Sequence, residues 1–226
     1  MKAIILAAGV GSRLGNSLPK ALTVLPNGKT ILRNQIEILR KLGIKEIVVV
    51  VGFKKELIME ENPDVVFVYN PQFHRTNTAK SLQIAFELVN VDDVLWINGD
   101  VFFEERVIKE VIARKGNVIA VNKSVCGEEE VKYKTDGNRN VTEISKKVIN
   151  GEGEAIGINK VCKGNFEEFV ACLVDCRAND YFEKAIEYAI AKGVVFKIAD
   201  ISHLKCREID FKKDLIQVEK MFESQS

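Results

Sequence analysis

Apolar positions along the chain alternate between two periods. Lys2 to Leu6 is a short apolar run that leads into a glycine-rich loop, and it reads as a buried strand. From Ile31 to Leu42, residues Ile31, Leu32, Ile36, Leu39 and Leu42 recur at helical spacing, and Gly43 follows as a C-terminal cap. Glu46 to Val51 is a β-branched run, the mark of a strand covered on both faces. The alternation continues: a helix at Lys54 to Glu61, a strand at Val65 to Tyr69, a helix at Ala79 to Val89 and a strand at Val94 to Ile97. A helix at Glu104 to Ala113 and a strand at Asn117 to Val121 complete the series. Repeated β-α-β units predict an α/β fold with a mostly parallel sheet and helices on both faces.

The second half changes rhythm. Val131 to Thr135 and Val141 to Ser145 flank Asp136-Gly137-Asn138-Arg139-Asn140, a hairpin signal. A strand at Glu154 to Ile158, helices at Asn165 to Val174 and Tyr181 to Ala191, a strand at Val194 to Ile198 and a helix at Phe211 to Phe222 follow. No linker, low-complexity stretch or repeat interrupts the chain. The expectation is one domain over 1–226, with the hairpin as an insertion covering one sheet edge.

Composition narrows the classes of function. At 226 residues the chain suits one large domain, and 46% hydrophobic with 29% charged residues is ordinary globular usage. A net charge of +1 gives no bulk attraction to nucleic acid, so any anionic ligand needs a local cluster of cations. Apolar runs such as Ile47 to Val51 are far below the ~20 residues of a membrane-spanning helix. The N-terminal apolar stretch meets Gly11-Ser12-Arg13 after Val10, which favours a buried strand over a leader. Five cysteines, an odd number without a C-x-x-C pair, argue against a disulfide framework and for a reducing cytoplasm. His74 and His203 have no metal-like spacing to them, and both read as structural or surface residues.

The sharpest feature is the segment from Leu6 to Lys20, L-A-A-G-V-G-S-R-L-G-N-S-L-P-K. It leaves a parallel strand at its carboxyl end, where open α/β sheets bind ligands. Gly9 and Gly11 let backbone N–H groups approach a phosphate chain; Arg13 offers a fork of donors and Lys20 a compact charge. The bland alternative is a plain strand-to-helix connection. A dinucleotide site fits poorly, because position 14 is Leu where the third glycine belongs and the second strand ends Val50-Val51-Gly52-Phe53 without an acid.

L-A-A-G-x-G-S-R-L followed by P-K resembles the signature loop of nucleotidyltransferases that activate phosphorylated sugars and alcohols. Five residues separate Arg13 from Pro19, and this short gap is similar to that of inositol-phosphate, methylerythritol-phosphate and molybdopterin nucleotidyltransferases. The resemblance covers most of the chain and points closest to the CTP:inositol-1-phosphate and CTP:phosphocholine cytidylyltransferases. It implies a Rossmann-like mixed sheet and a set of site residues. Leu6, Ala7, Ala8, Gly9, Gly11 and Ser12 would hold the nucleotide, with Asn77, Thr78 and Ser81 of a polar loop reading the base. Thr78 stands where relatives known for phosphocholine often carry a second Asn, which leaves base and acceptor open. Asp100, after Asn98-Gly99, and Asp210 match the family's magnesium ligands, although Asp210 also reads as a cap for the last helix. Lys146, with Lys147 as fallback, matches a lysine that reaches the acceptor phosphate. Glu154 and Glu208 would face the acceptor, and Glu154 in an apolar strand calls for a partner.

The reaction implied is attack of an acceptor phosphate on the α-phosphorus of CTP, with Mg²⁺ as cofactor, Arg13, Lys20 and Lys146 as the catalytic cations, and pyrophosphate leaving. The partners are CTP and a phosphorylated small alcohol, inositol 1-phosphate before phosphocholine. Neither nucleic acid nor membrane insertion enters, and a homodimer is compatible. The alternatives are a sugar-1-phosphate nucleotidyltransferase, a molybdopterin guanylyltransferase and a catalytically silent nucleotide-binding regulator.

Overall fold

The computed structural model describes residues 1–10, 18–123, 126–127 and 130–223. The chain begins β1 (Lys2–Ala7), α1 (Ile31–Lys41), β2 (Ile47–Val51), α2 (Lys55–Glu61), β3 (Val66–Tyr69), α3 (Thr78–Phe86) and β4 (Val94–Asn98). It continues β5 (Val101–Phe103), α4 (Glu105–Ala113), β6 (Asn117–Asn122), β7 (Lys132–Thr135), β8 (Val141–Ser145) and β9 (Gly153–Val161). The last part is α5 (Phe166–Asp175), α6 (Glu183–Ala191), β10 (Phe196–Asp200), β11 (Cys206–Glu208) and α7 (Lys212–Glu223).

Strands of the main sheet run β10-β6-β9-β4-β1-β2-β3. Neighbours are parallel except at β9, which is antiparallel to both β4 and β6. The α/β architecture with a mostly parallel sheet therefore stands. In β1 the side chains divide between two cores: Ile4 and Leu6 enter one, and Ala3, Ile5 and Ala7 the other. All five residues of β2 are buried, as a strand covered on both faces requires. The first core packs Phe86 of α3, Phe169 of α5 and Ile186 of α6 against Trp96. The second packs Leu32, Ile36 and Leu39 of α1, with Val107 and Ile108 of α4, on the opposite face. Each of these fully buried side chains contributes about 1.5–3 kcal/mol of apolar burial.

Helix α1 shows how local signals set boundaries. The Thr30 hydroxyl accepts from the Arg33 N–H at 3.3 Å and caps the start. At the end Gly43 takes φ +82°, and the Ile44 N–H donates to the Leu39 carbonyl at 3.0 Å, closing the helix in a Schellman turn.

The hairpin does not lie along the outer edge of the sheet. It branches from the middle, where β7 pairs the start of β9 through Tyr133–Gly153 and Lys132–Glu154. Its tip reaches the outer strand β10 by a bridge between Asn140 and Lys197. Strand β9 also runs three residues past the expected Ile158, because Asn159 and Lys160, which break the apolar pattern, are both buried. The Lys160 ammonium donates to the Arg114 carbonyl. Two short strands, β5 and β11, form a separate antiparallel ribbon that the sequence pattern does not indicate.

Candidate active site

A cleft of about 710 Å³ opens at the carboxyl ends of β1 and β4, a size suited to a small-molecule ligand. Its base is built by close approach of backbone. The Gly99 N–H donates to the Leu6 carbonyl at 2.9 Å, and a Cβ at Gly99 would lie 2.7 Å from that oxygen. Only glycine lets the β4 turn sit this near β1. Asp100 follows on that turn. From α1 the fully buried Gln35 amide donates to the carbonyls of Asn98 and Val101, at 3.0 and 2.7 Å, and clamps the turn from both sides.

The ribbon brings in the distant carboxylates. Strand β11 pairs Glu208 with Val101 of β5, and the Ile209 N–H donates to the Asp100 carbonyl at 2.9 Å. Asp100, Glu208 and Asp210 consequently offer carboxylate oxygens within 4.8 Å of one another, the one such cluster among the described residues. Lys20 arrives from a 3-10 turn over Lys20–Leu22. Its ammonium lies 3.2 Å from Asp100 Oδ2 and pairs with Asp210 Oδ1 as well.

Electrostatics show how crowded this negative charge is. Burial alone would depress the Lys20 ammonium, but Asp100 and Asp210 more than offset it and raise its pKa. Burial holds the Asp100 carboxyl above its usual range against the pull of Lys20, and Asp210 adds to the rise. Glu208 is exposed at the cleft, and the protein packed about its carboxyl, with the charges of Asp100 and Asp210, pushes it up to about 9. An oxygen-only set of three adjoining carboxylates, short of positive charge, fits a hard divalent cation such as Mg²⁺.

Within the first turn of α7, Asp214 Oδ2 accepts from the N–H groups of Asp210 and Phe211 at 3.2 and 2.8 Å and ties the approach to the helix. The Asp210 carboxylate pairs with Lys20.

Of the other expected residues, Leu6, Ala7, Gly9, Asn77, Thr78, Lys146, Glu154 and Glu208 line the cleft. Gly11, Ser12 and Arg13 lie outside the described residues. Two, Ala8 and Ser81, are buried and are not among the residues lining the cleft. Ala8 is buried in the core under α3, and its carbonyl accepts from the Phe53 N–H. Ser81 is 5% exposed, and its hydroxyl accepts from the Asn70 amide at 3.0 Å, so it pins the loop behind the cleft. Asn77 caps α3 and also faces the cleft. Lys146, over the Tyr181 ring at 5.0 Å, faces the cleft, whereas Lys147 lines a separate cavity between β8 and α6. Glu154 makes no ion pair among the described residues. Burial, with Glu130 adding to the effect, raises its carboxyl to about 7.

Three residues escaped the sequence reading. Gln35 looked like one polar position in an amphipathic helix. Gly157 takes φ +67° at a bulge in β9, and a Cβ there would come within 2.5 Å of Asn98 Nδ2 at the cleft floor. Glu183, in the first turn of α6, lines the cleft although only 8% exposed, and its Oε2 finds no donor among the described residues. Burial raises its carboxyl to about 7.

Because the unfolded value of Glu183 is near 4.5, the folded state binds the extra proton between pH 4.5 and about 7. Stability from this group is complete below that window and declines as pH rises through it. Glu183→Gln removes the decline. Its melting temperature is expected to exceed that of the wild type by roughly 5–10 °C at pH 8, from on the order of 2–3 kcal/mol, and by much less at pH 5. Equal shifts at both pH values would refute this.

Comparison with known proteins places this geometry among relatives. The profile described as MobA-like NTP transferase domain matches residues 3–143. A CMP-5'-(3-aminopropyl)phosphonate synthase of Streptomyces rubellomurinus is 28% identical over 98% of this chain and 39% of its own length. A choline-phosphate cytidylyltransferase of Streptococcus pneumoniae is 38% identical over 43% of this chain and 47% of its own. The chain thus spans less than half the length of either. Among solved structures, the inositol-1-phosphate CTP transferase of T. maritima superposes with a TM-score of 0.82 at 18% identity, covering 98% of this chain and 94% of that one. The CTP:phosphocholine cytidylyltransferase of Streptococcus pneumoniae gives 0.80 at 22% identity, covering 98% of each. Both share the fold.

Proposed function

Since the chain belongs to the MobA-like NTP transferase domain family, we propose that it transfers CMP from CTP to a phosphorylated small alcohol, releasing pyrophosphate and forming a CDP-alcohol. A phosphate oxygen of the acceptor forms a bond to the α-phosphorus of CTP, and the bond from that phosphorus to the bridging oxygen breaks. An acceptor phosphate, with a second pKa around 6, is largely ionised near neutral pH, so no strong general base is required. The demands are in-line positioning and neutralisation of negative charge.

The observation that carries this reading is the convergence of Lys20, Asp100 and Asp210, up to 190 residues apart, on one strand end inside the cleft. Lys20 would hold phosphate oxygens of the triphosphate and of the departing pyrophosphate, and Arg13 of the same loop would join it. Asp100, Asp210 and Glu208 would hold Mg²⁺, which supplies Lewis-acid stabilisation of phosphoryl charge. Lys146 would guide the acceptor phosphate. Backbone at Ala7 and Gly9, with the side chains of Asn77 and Thr78, would border the nucleoside. CTP is preferred as donor because relatives of this chain are named for CMP and cytidylyl products. Their acceptors, a choline phosphate and an aminopropylphosphonate, widen the field beyond inositol 1-phosphate, the first choice from sequence similarity.

The test is pyrophosphate release with Mg²⁺ and each of CTP, UTP, GTP and ATP, against inositol 1-phosphate, phosphocholine, 2-aminoethyl phosphate and glucose 1-phosphate. Release with CTP and an alcohol phosphate is expected. Nucleotide binding without release from any pair would replace this reading with a silent nucleotide-binding regulator. Lys20→Ala should lower turnover by about 10²-fold or more with the fold intact by circular dichroism; a variant as fast as the wild type would remove Lys20 from the reaction.

A further inference from the structure

The connection from α5 to α6 is fastened to the start of α3. Residues 177–182 form it, and Asp180 Oδ2 accepts from the Arg177 N–H at 2.7 Å, folding them into a turn. Two of their carbonyls serve the N-terminus of α3: the Asn77 N–H donates to Ala178 at 2.8 Å and the Ala79 N–H to Asp180 at 3.2 Å. N–H groups at a helix start lack partners within the helix, so this strap satisfies them. The contact is closed from the other side, where the Thr78 hydroxyl oxygen accepts from the Phe182 N–H at 3.1 Å.

Thr78 therefore serves two sides. It lines the cleft beside Asn77, where the nucleoside is proposed to lie. Its hydroxyl oxygen holds the backbone between Tyr181 and Glu183, which line the cleft as well. Both of these neighbour Lys146. The Lys146 ammonium lies 5.0 Å from the centre of the Tyr181 ring. Burial raises the Glu183 carboxyl, and the charge of Lys146 works against that rise. The Phe182 side chain is buried and meets Trp96 edge-on at 5.9 Å, so the strap is anchored in the core below and by Thr78 at the cleft. What threonine supplies at this point, and valine of the same shape does not, is a hydrogen-bond acceptor.

We propose that Thr78 is a positioning residue for the acceptor half of the reaction: by accepting from the Phe182 N–H it holds Tyr181 and Glu183 in place beside Lys146, the group proposed for the acceptor phosphate. This rests on the nucleotidyl transfer proposed above and adds a residue to it. Thr78 and Phe182 are 104 positions apart in sequence, yet their bond sets the spacing between the nucleoside side and the acceptor side of one cleft. In-line transfer depends on that spacing, and a misplacement of about 1 Å can cost on the order of a hundredfold in rate.

The experiment compares the wild type with Thr78→Val and Thr78→Ser, and carries Thr78→Ala, a good helix former, as a second variant without the hydroxyl. Pyrophosphate release gives the KM of CTP and of whichever acceptor in the panel above the wild type uses, and calorimetry gives the Kd of CTP. Thr78→Val and Thr78→Ala are expected to raise the acceptor KM about tenfold, with the Kd of CTP and the preference among the four nucleotides within about threefold of wild type. Thr78→Ser, which keeps the oxygen, should restore the acceptor KM to within about threefold. Loss of CTP affinity or of nucleotide preference at a level acceptor KM overturns the proposal and makes Thr78 a reader of the base. Equal losses for both substrates, the mark of a general structural role, also overturn it, as does a serine variant impaired like valine. Should no pair of substrates react, calorimetry with inorganic phosphate on the CTP complex takes the place of the acceptor KM. Phosphate binding about tenfold weaker in Thr78→Val then supports the positioning and sinks the transfer reaction, and equal or absent binding in both proteins overturns the two together.

Discussion

Replacing Asp100 with asparagine is expected to lower turnover by at least about a thousandfold, roughly 4 kcal/mol of barrier, while the melting temperature stays level or rises. The two effects have one cause. Asp100 is held where burial and Asp210 disfavour its charge, and Lys20 only partly compensates. Relative to the unfolded chain its carboxyl holds its proton to higher pH, so its contribution to stability falls as pH rises through the raised value. Asparagine keeps the shape of the turn clamped by Gln35 and relieves that repulsion, and Lys20 retains its pairing with Asp210. What asparagine cannot do is supply a carboxylate oxygen to the cluster with Glu208 and Asp210. A pyrophosphate-release assay and a thermal melt on the same preparation check both halves. Turnover within tenfold of wild type would remove Asp100 from the reaction.

The second large effect concerns stability alone. Trp96→Ala should cost about 3–5 kcal/mol, lowering the melting temperature by roughly 10–15 °C. Trp96 is fully buried in β4. It stacks on Phe169 of α5 at 4.9 Å and meets Phe86 of α3 and Phe182 edge-on at 6.2 and 5.9 Å. One side chain thus holds two helices, and the residue leading into α6, to the central sheet. Trp96→Phe is the informative control. Among the described residues the indole Nε1 has no acceptor, so phenylalanine loses ring volume but relieves an orphaned donor, and the loss should stay below about 1.5 kcal/mol. A Phe variant as unstable as the Ala variant would mean that ring contacts are not what the position contributes.

The elements legible in the sequence are those whose burial is periodic. Strands β1, β2 and β4 and helix α1 lie within a residue or two of their expected limits, because each buries a face set by side-chain spacing. The ribbon of β5 and β11 was hidden for the opposite reason. Three-residue strands have no period, and Val101-Phe102-Phe103 reads equally as the approach to α4. The same holds within the site. Asp100 and Lys20 carried a recognisable motif around them. Gln35, Gly157 and Glu183 did not, since each matters through what it meets in space: two carbonyls, an amide, and the charge of Lys146. Asp210 was ambiguous in sequence because an aspartate ahead of a helix is a good cap. Its pairing with Lys20, 190 residues away in sequence, is visible only in space.

The ribbon has a consequence for how the molecule comes into being. All strands of the main sheet lie within the first 200 residues, the last being β10. The carboxylates that complete the cluster, Glu208 and Asp210, leave the ribosome after that sheet is fully synthesised. The carboxylate cluster is therefore completed only after the strands of the main sheet have been made.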